Sequence, residues 1–458
     1  MLDTPRTTIE SLIEKQRIFF ASGKTREISY RLEMLKRLKN AIIQYEKKIA
    51  AAFWTDLHKS YEEAYLTEIG LVLGEIDYHM KNLRKWSRSK KIMTPLVLQP
   101  SSSRIFYEPL GVSLVMAPWN YPFMLLMTPV VGAISAGCTA ILKPSPYTPN
   151  VALTTEEMIT EFFDPDYLAT VQGSRKVNEI LLEQRFDFIF FTGSPQVGKV
   201  VMKAAAEHLT PVVLELGGKN PCVIDKDANL DITAARVAFG KCINAGQTCL
   251  APDYLFVHES VKEDLIRKLG ETITKMYGHE PEQSPYFPRI VNHQAFGRLE
   301  KLLQDGRIRF GGKTNRESRF ISPTIIDEIK PEYPVMQEEI FGPILPVLTF
   351  REISEVEKYL NTHEKPLAFY YFGRKSKAKE TIRRTTSGGG CINDTLMHFV
   401  NHNLPFGGVG NSGLGKYHGI HSFLAFSNQR AIVCSPSWYD IPLEYAPFKY
   451  FKLIKKLM

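Results

Sequence analysis

Residues 186–201 read FDFIFFTGSPQVGKVV: an apolar strand, a glycine turn, then a helix-like run. Phe188 to Phe191 contains no polar position, the texture of a strand buried on both faces of a sheet. The texture recurs on either side. GVSLVMAP (111–118), TAILKP (139–144) and YLATVQG (167–173) are short apolar runs closed by turn residues, and residues 148–163 are long enough for a helix between them. Buried strands alternating with helices predict a parallel sheet with crossover helices, the doubly wound α/β class. From Pro211 a second series, PVVLELGG (211–218), NPCVID (220–225), DYLFVHE (253–259), TIIDEI (324–329) and ILPVLTF (344–350), predicts another α/β domain.

The flanks differ. The first ninety residues are helical in pattern, with Leu35, Leu38, Ile42 and Ile49 at helical spacing among Lys and Arg. Glycine clusters in SGGGCIND (387–394) and NLPFGGVGNSGLGKYHG (403–419). The tail YAPFKYFKLIKKLM (445–458) mixes aromatics with lysines. It fits either a weak peripheral contact with a membrane surface or a terminal helix docked on the body or a partner subunit.

At 458 residues the chain is too long for one hydrophobic core. Its 44% apolar and 23% charged residues are those of a soluble globular protein. A net charge of +8, from 57 basic and 49 acidic residues, is mild and gives no reason to expect nucleic acid. No charge occurs from Pro109 to Leu142, yet Pro118, Pro122 and Pro129 interrupt that run. It reads as buried strand, loop and helix rather than a membrane span. The N-terminus lacks the apolar core of a secretory signal, and the six cysteines form no CxxC pair. Free thiols in the cytoplasm are expected, with no metal site.

Gly193, Gly198 and Lys199 match GxxxxGK, but Val200 stands where a triphosphatase needs a hydroxyl for magnesium. A strand, a glycine turn and a helix N-terminus still make an anion-binding geometry, suited to a dinucleotide pyrophosphate.

Six motifs in order, PWNYP (118–122), LKP (142–144), LELGGK (214–219), GQTC (246–249), QEEIFGP (337–343) and LPFGGVGNSGLGKYHG (404–419), resemble those of the aldehyde dehydrogenase superfamily. NAGQTC-APDY and the short helical N-terminus resemble its class 3 branch of fatty and aromatic aldehyde dehydrogenases. The resemblance covers nearly the whole chain. It implies two doubly wound α/β domains and a small β-rich oligomerisation arm. An NAD(P)-binding domain (1–89 and 107–210), a catalytic domain (211–387), oligomerisation segments (90–106 and 388–430) and a C-terminal tail (431–458) are expected, in a homodimer.

Oxidising an aldehyde to a carboxylic acid needs a nucleophile, a hydride acceptor and a base for water. Cysteine suits the first task, because its thiolate is strongly nucleophilic near neutral pH. The resemblance assigns Cys249 as nucleophile, forming a thiohemiacetal and then a thioester. It assigns Asn120, with the Cys249 backbone N–H, as donor to the oxyanion, and Glu215 as general base. Val213, Leu214 and Leu216 around Glu215 favour desolvation and a raised pKa. Glu215 also argues against the CoA-acylating relatives, which lack it. The other five cysteines read as structural.

For the cofactor, NAD or NADP, the resemblance assigns Lys143 to the adenosine ribose, Gly193, Ser194 and Gly198 to the pyrophosphate loop, and Glu339 and Phe341, with Trp119, to the nicotinamide end. NAD-preferring members carry a Glu three residues after the lysine, where this chain has Pro146. Losing a ribose acceptor and a charge that would repel a 2′-phosphate predicts weak discrimination, tilted towards NADP. Medium or long aliphatic, or aromatic, aldehydes are the expected substrates. A Cys–Glu thioester or ester hydrolase and a non-catalytic scaffold are the rivals. His398, His402, His418 and His421 read as loop histidines rather than zinc ligands.

Overall fold

The computed structural model describes residues 2–440 and 445–457; Met1 and, in the tail, residues 441–444 and Met458 lie outside them. Among the described residues the strands form two large sheets, a three-stranded arm and the two-stranded pair Thr314–Asn315 with Phe320–Ile321. The first sheet runs in the order Gly413–Leu414, Val212–Leu216, Phe188–Gly193, Val112–Met116, Thr139–Lys143, Leu168–Thr170. All pairs are parallel except that of the short Gly413–Leu414 strand. The second runs Arg307–Phe310, Thr324–Asp327, Ile344–Phe350, Tyr254–His258, Pro221–Ile224, Ala368–Phe372, Gly389–Ile392, and only its first pair is antiparallel. Helices separate the strands, as the apolar runs and the helix-length spacers require.

The uncharged run 109–142 folds as the strand Val112–Met116, the helix Met124–Ala136 and the strand Thr139–Lys143, every residue of which is buried. Pro129 sits inside that helix, enclosed on all sides. Among the described residues no helix is long and apolar enough to cross a membrane.

Three boundaries differ from expectation. Val212–Leu216, expected at the head of the catalytic domain 211–387, is hydrogen-bonded to Phe188–Gly193 and belongs to the first sheet. Gly389–Ile392, expected in the oligomerisation segment 388–430, is the edge strand of the second sheet. The arm pairs Lys90–Ile92, Ser102–Pro109 and Ser427–Cys434, so its strands overrun both residue 106 and residue 430. Turn residues punctuate the chain, but ladder hydrogen bonds decide sheet membership. In the tail, Tyr445, Phe448, Tyr450 and Phe451 are exposed.

Candidate active site

The strand order of the first sheet reverses between Val112–Met116 and Phe188–Gly193. Ligands of open α/β sheets bind outside the carboxyl ends of the strands at such a reversal. The chain leaving Met116 carries Trp119 and Asn120; the chain leaving the neighbouring strand carries Ser194, just past Gly193. One strand further, Glu215 lies opposite Thr192. The second sheet brings Cys249 and the segment 339–341 across from them. Asn120, Glu215 and Cys249 line one cavity of about 710 Å³, shared with Trp119, Gly193, Ser194, Glu339 and Phe341. Lys143 and Gly198 are not on its wall.

Cys249 follows a strained turn. The helix Leu230–Cys242 ends, and Asn244, Ala245 and Gly246 then take left-handed φ values of 51°, 51° and 72°. Such a run persists only where the surroundings over-determine it. Here they do. The Asn244 N–H donates to Glu63 Oε1 at 2.8 Å, and its Nδ2 donates to the Asn120 carbonyl at 2.7 Å. The Gln247 amide donates to the Asn244 and Arg289 carbonyls, at 3.0 and 3.1 Å, and accepts from Val291 N at 2.9 Å. Gly246 is obligatory, since a Cβ there would lie 2.3 Å from the Gly342 carbonyl. Beyond the thiol, Asn220 Nδ2 donates to the Cys249 carbonyl at 2.6 Å. Burial, with Glu339 and Glu215 nearby, pushes the Cys249 thiol up to about 12.

Asn120 is buried, and its Nδ2 donates to the Gln247 carbonyl at 3.1 Å. An amide nitrogen carries two hydrogens, so one remains for a ligand. Glu215 is 3% exposed, and neither carboxyl oxygen has a partner among the described residues. Burial holds this carboxyl far above the usual range, against the pull of Lys416. Gly407 makes room for it, because a Cβ there would come within 2.7 Å of Glu215 Oε1.

A half-buried thiol, a spare amide donor and a carboxyl without a partner among the described residues converge on one cavity at a switch point. The aldehyde dehydrogenase family model matches residues 3–432. The chain belongs to that family. It is 45% identical to the 4,4'-diaponeurosporen-aldehyde dehydrogenase of Staphylococcus aureus (strain NCTC 8325 / PS 47), over 98% of both chains. It is 41% identical to the "aldehyde dehydrogenase, dimeric NADP-preferring" of Canis lupus familiaris, over 95% of this chain and 96% of that one. The solved substrate-bound state of Staphylococcus aureus AldH superposes with a TM-score of 0.96 at 44% identity, covering 98% of this chain and 99% of that one. This aldehyde dehydrogenase oxidises an aldehyde with a nicotinamide cofactor.

The residues at the cavity's other end, and Gly198 and Lys143 beyond its wall, fit that cofactor. Ser194 caps the helix Pro195–Ala206, accepting from Val197 N at 3.4 Å, and free N–H groups at such an end favour an anion. Gly198 lets this helix approach the sheet, since a Cβ would meet Leu216 at 2.7 Å. The Thr192 hydroxyl is buried without a partner among the described residues. Lys143, 2% exposed, donates among the described residues only to the Pro144 carbonyl, at 2.8 Å, and burial pulls its ammonium down to about 8. Burial holds Glu339 at about 8, although the Gly218 N–H donates to it. Trp119 and Phe341 meet edge to face, centroids 5.4 Å apart. Pro146 brings no acceptor.

The histidines serve packing and hydrogen bonding. His398 Nδ1 lies 3.4 Å from Cys391 Sγ, His402 Nδ1 lies 2.5 Å from Glu75, and His418 is buried against Phe399 and Tyr417. The sequence reading missed the clamp around the turn: Glu63, Asn244, Gln247 and, behind Asn120, the Lys59–Glu68 pair. The signal available was a lysine in the loop 58–60 and carboxylates in the helical segment 61–69 that follows it.

Proposed function

We propose that Cys249, Asn120 and Glu215 perform the oxidation as nucleophile, oxyanion donor and water base. The carrying observation is their convergence on one cavity wall on which Cys249 is the sole cysteine among the described residues. The Cys249 thiol loses its proton to solvent, the thiolate adds to the aldehyde carbon, and charge develops on the carbonyl oxygen. The spare Asn120 amide hydrogen and the Cys249 N–H hold that oxygen. The nicotinamide, when bound, supplies the hydride acceptor. Glu215 takes a proton from water, which attacks the thioester carbon and releases the acid and the thiolate. Burial that raises a carboxyl's pKa also makes its ionised form a stronger base.

Lys143, Gly193, Ser194, Gly198, Glu339, Phe341 and Trp119 hold the cofactor. Pro146 supports acceptance of NADP beside NAD. Met124, Leu125, Phe239, Ile243 and Phe399 on the wall favour medium or long aliphatic, or aromatic, aldehydes. A relative described as dimeric, and exposed Met93, Leu96, Val97 and Val433 on the arm, support a homodimer. A cytoplasmic setting fits the free cysteines, and the exposed tail supports at most a weak peripheral membrane contact.

The test is an aldehyde panel with NAD and NADP, read as reduced-nicotinamide absorbance, for wild type and Cys249→Ala. Reduction by wild type alone is expected. Ester cleavage without reduction would instead make the protein a hydrolase.

A further inference from the structure

The cavity carries an acidic group that neither the chemistry nor the cofactor uses. Glu63 lies in the short helix Tyr61–Ala64, half-buried, with Oε1 held by the Asn244 N–H at 2.8 Å. That bond fixes the carboxyl against the turn leading into Cys249, on the side walled by Phe239, Ile243 and Tyr277. The charged residues on the wall are Glu62, Glu63, Glu215 and Glu339; among the described lining residues none is Lys, Arg or His. Lys59 does not reach the wall: it is fully buried, bound to Glu68 at 2.8 Å and directed at the Asn120 carbonyl.

We propose that Glu63 sets the charge selectivity of the aldehyde chamber, turning away aldehydes with a second, anionic group and admitting neutral or cationic ones. This rests on the oxidation reading above and names its substrate class further. Glu215 and Glu339 have other work, and Glu62 is exposed at the mouth. Glu63 therefore meets the far part of a substrate held at Cys249. An incoming carboxylate finds no cation there and a carboxyl it cannot escape.

Glu63 stays partly ionised at neutral pH. Burial lifts it to about 7, with Lys59 and the Asn244 N–H pulling it down and Glu68 pushing it up. Tyr121, Cys242 and Tyr277 are the other titratable groups facing it. Two like charges a few ångströms apart at a half-buried site repel enough to change relative rates by about tenfold or more.

The experiment compares kcat/KM for an ω-carboxy aldehyde and an alkanal of equal chain length, at pH 6 and pH 8. In wild type the carboxy/alkanal ratio is expected to fall with pH. In Glu63→Gln, which keeps an acceptor for the Asn244 N–H, the ratio at pH 8 is expected to rise about tenfold and to lose its pH trend. An ω-trimethylammonium aldehyde is expected to move the other way. A wild-type ratio that is flat with pH overturns the proposal even where the variant does not fold. So does an equal ratio in both proteins. Protection of Cys249 from alkylation by hexanamide against hexanoate reads the same selectivity without turnover, so failure of oxidation itself is told apart. Equal protection by the two also overturns it.

Discussion

Lys59 and Glu68 form an ion pair 2.8 Å long with both side chains shielded from solvent, directly behind Asn120. The other Glu68 oxygen accepts from the Phe123 and Met124 N–H groups, at 3.2 and 2.9 Å, where the helix Met124–Ala136 begins. Removing one partner of such a pair leaves a buried charge and typically costs about 3–5 kcal/mol. Glu68→Gln and Lys59→Met are each expected to lower stability by about that amount in urea unfolding. Lys59→Met with Glu68→Gln is expected to cost less than the two singles summed. Additive losses would show that the charges do not depend on each other.

Asn120→Ala removes the spare amide hydrogen but keeps the backbone carbonyl that receives Asn244. Loss of one oxyanion donor costs about 2.7–4 kcal/mol of barrier, so kcat is expected to fall by about two to three orders of magnitude. An unchanged melting temperature would separate this from a folding defect. A loss under threefold would remove Asn120 from the reaction.

A thiol held up at about 12 is protonated in the free enzyme at neutral pH. Below its pKa the thiolate fraction grows about tenfold per pH unit. Alkylation of the Cys249 peptide by iodoacetamide, followed by mass spectrometry, is expected to accelerate that steeply from pH 7 to 9 without a plateau. A plateau below pH 8 would mean that a positive group stands next to the sulfur and holds its pKa down. Cys434, exposed, serves as the internal reference.

Gly217→Ala would put a Cβ 2.1 Å from Glu339 Oε2. The obstacle is the end of a flexible side chain, so Glu339 moves and the fold stays. The cofactor KM is expected to rise about tenfold, the worth of roughly one hydrogen bond, with little change in melting temperature. A large loss of stability with unaltered KM would contradict that picture.

With no carboxylate at Pro146, kcat/KM for NADP is expected to lie within about tenfold of that for NAD, the effect of one lost polar contact. Paired cofactor titrations at one aldehyde concentration check this. A strong NAD preference would show that another group excludes the 2′-phosphate.

The α/β architecture was legible because buried strands such as Phe188–Gly193 leave uninterrupted apolar runs in the chain. Cys249, Asn120 and Glu215 were legible as members of short ordered motifs. The sheet to which Val212–Leu216 belongs was not, because Pro211 marks a turn and says nothing of which neighbour the next strand will pair with. Nor was the left-handed backbone at Asn244 and Ala245, since alanine gives no sign of positive φ. What holds it is Glu63, 181 positions away, and spacing along the chain carries no trace of such a contact. The Lys59–Glu68 pair stayed hidden for the same reason: burial turns an ordinary loop lysine and an ordinary helix glutamate into a structural pin.

The left-handed turn before Cys249 has a consequence for how the two halves of the molecule depend on each other. Asn120 and Glu215 ride on the first sheet, the thiol on the second, so neither half owns a complete set of reacting groups. Asn120 is sewn to the turn by hydrogen bonds running in both directions, while the Glu215 carboxyl is sewn to nothing. A small slip along the seam would therefore drag the proposed nucleophile and oxyanion donor together, as one piece, and leave the proposed water base behind. Damage at this joint would stall the protein with its acyl group attached rather than leave it unable to start.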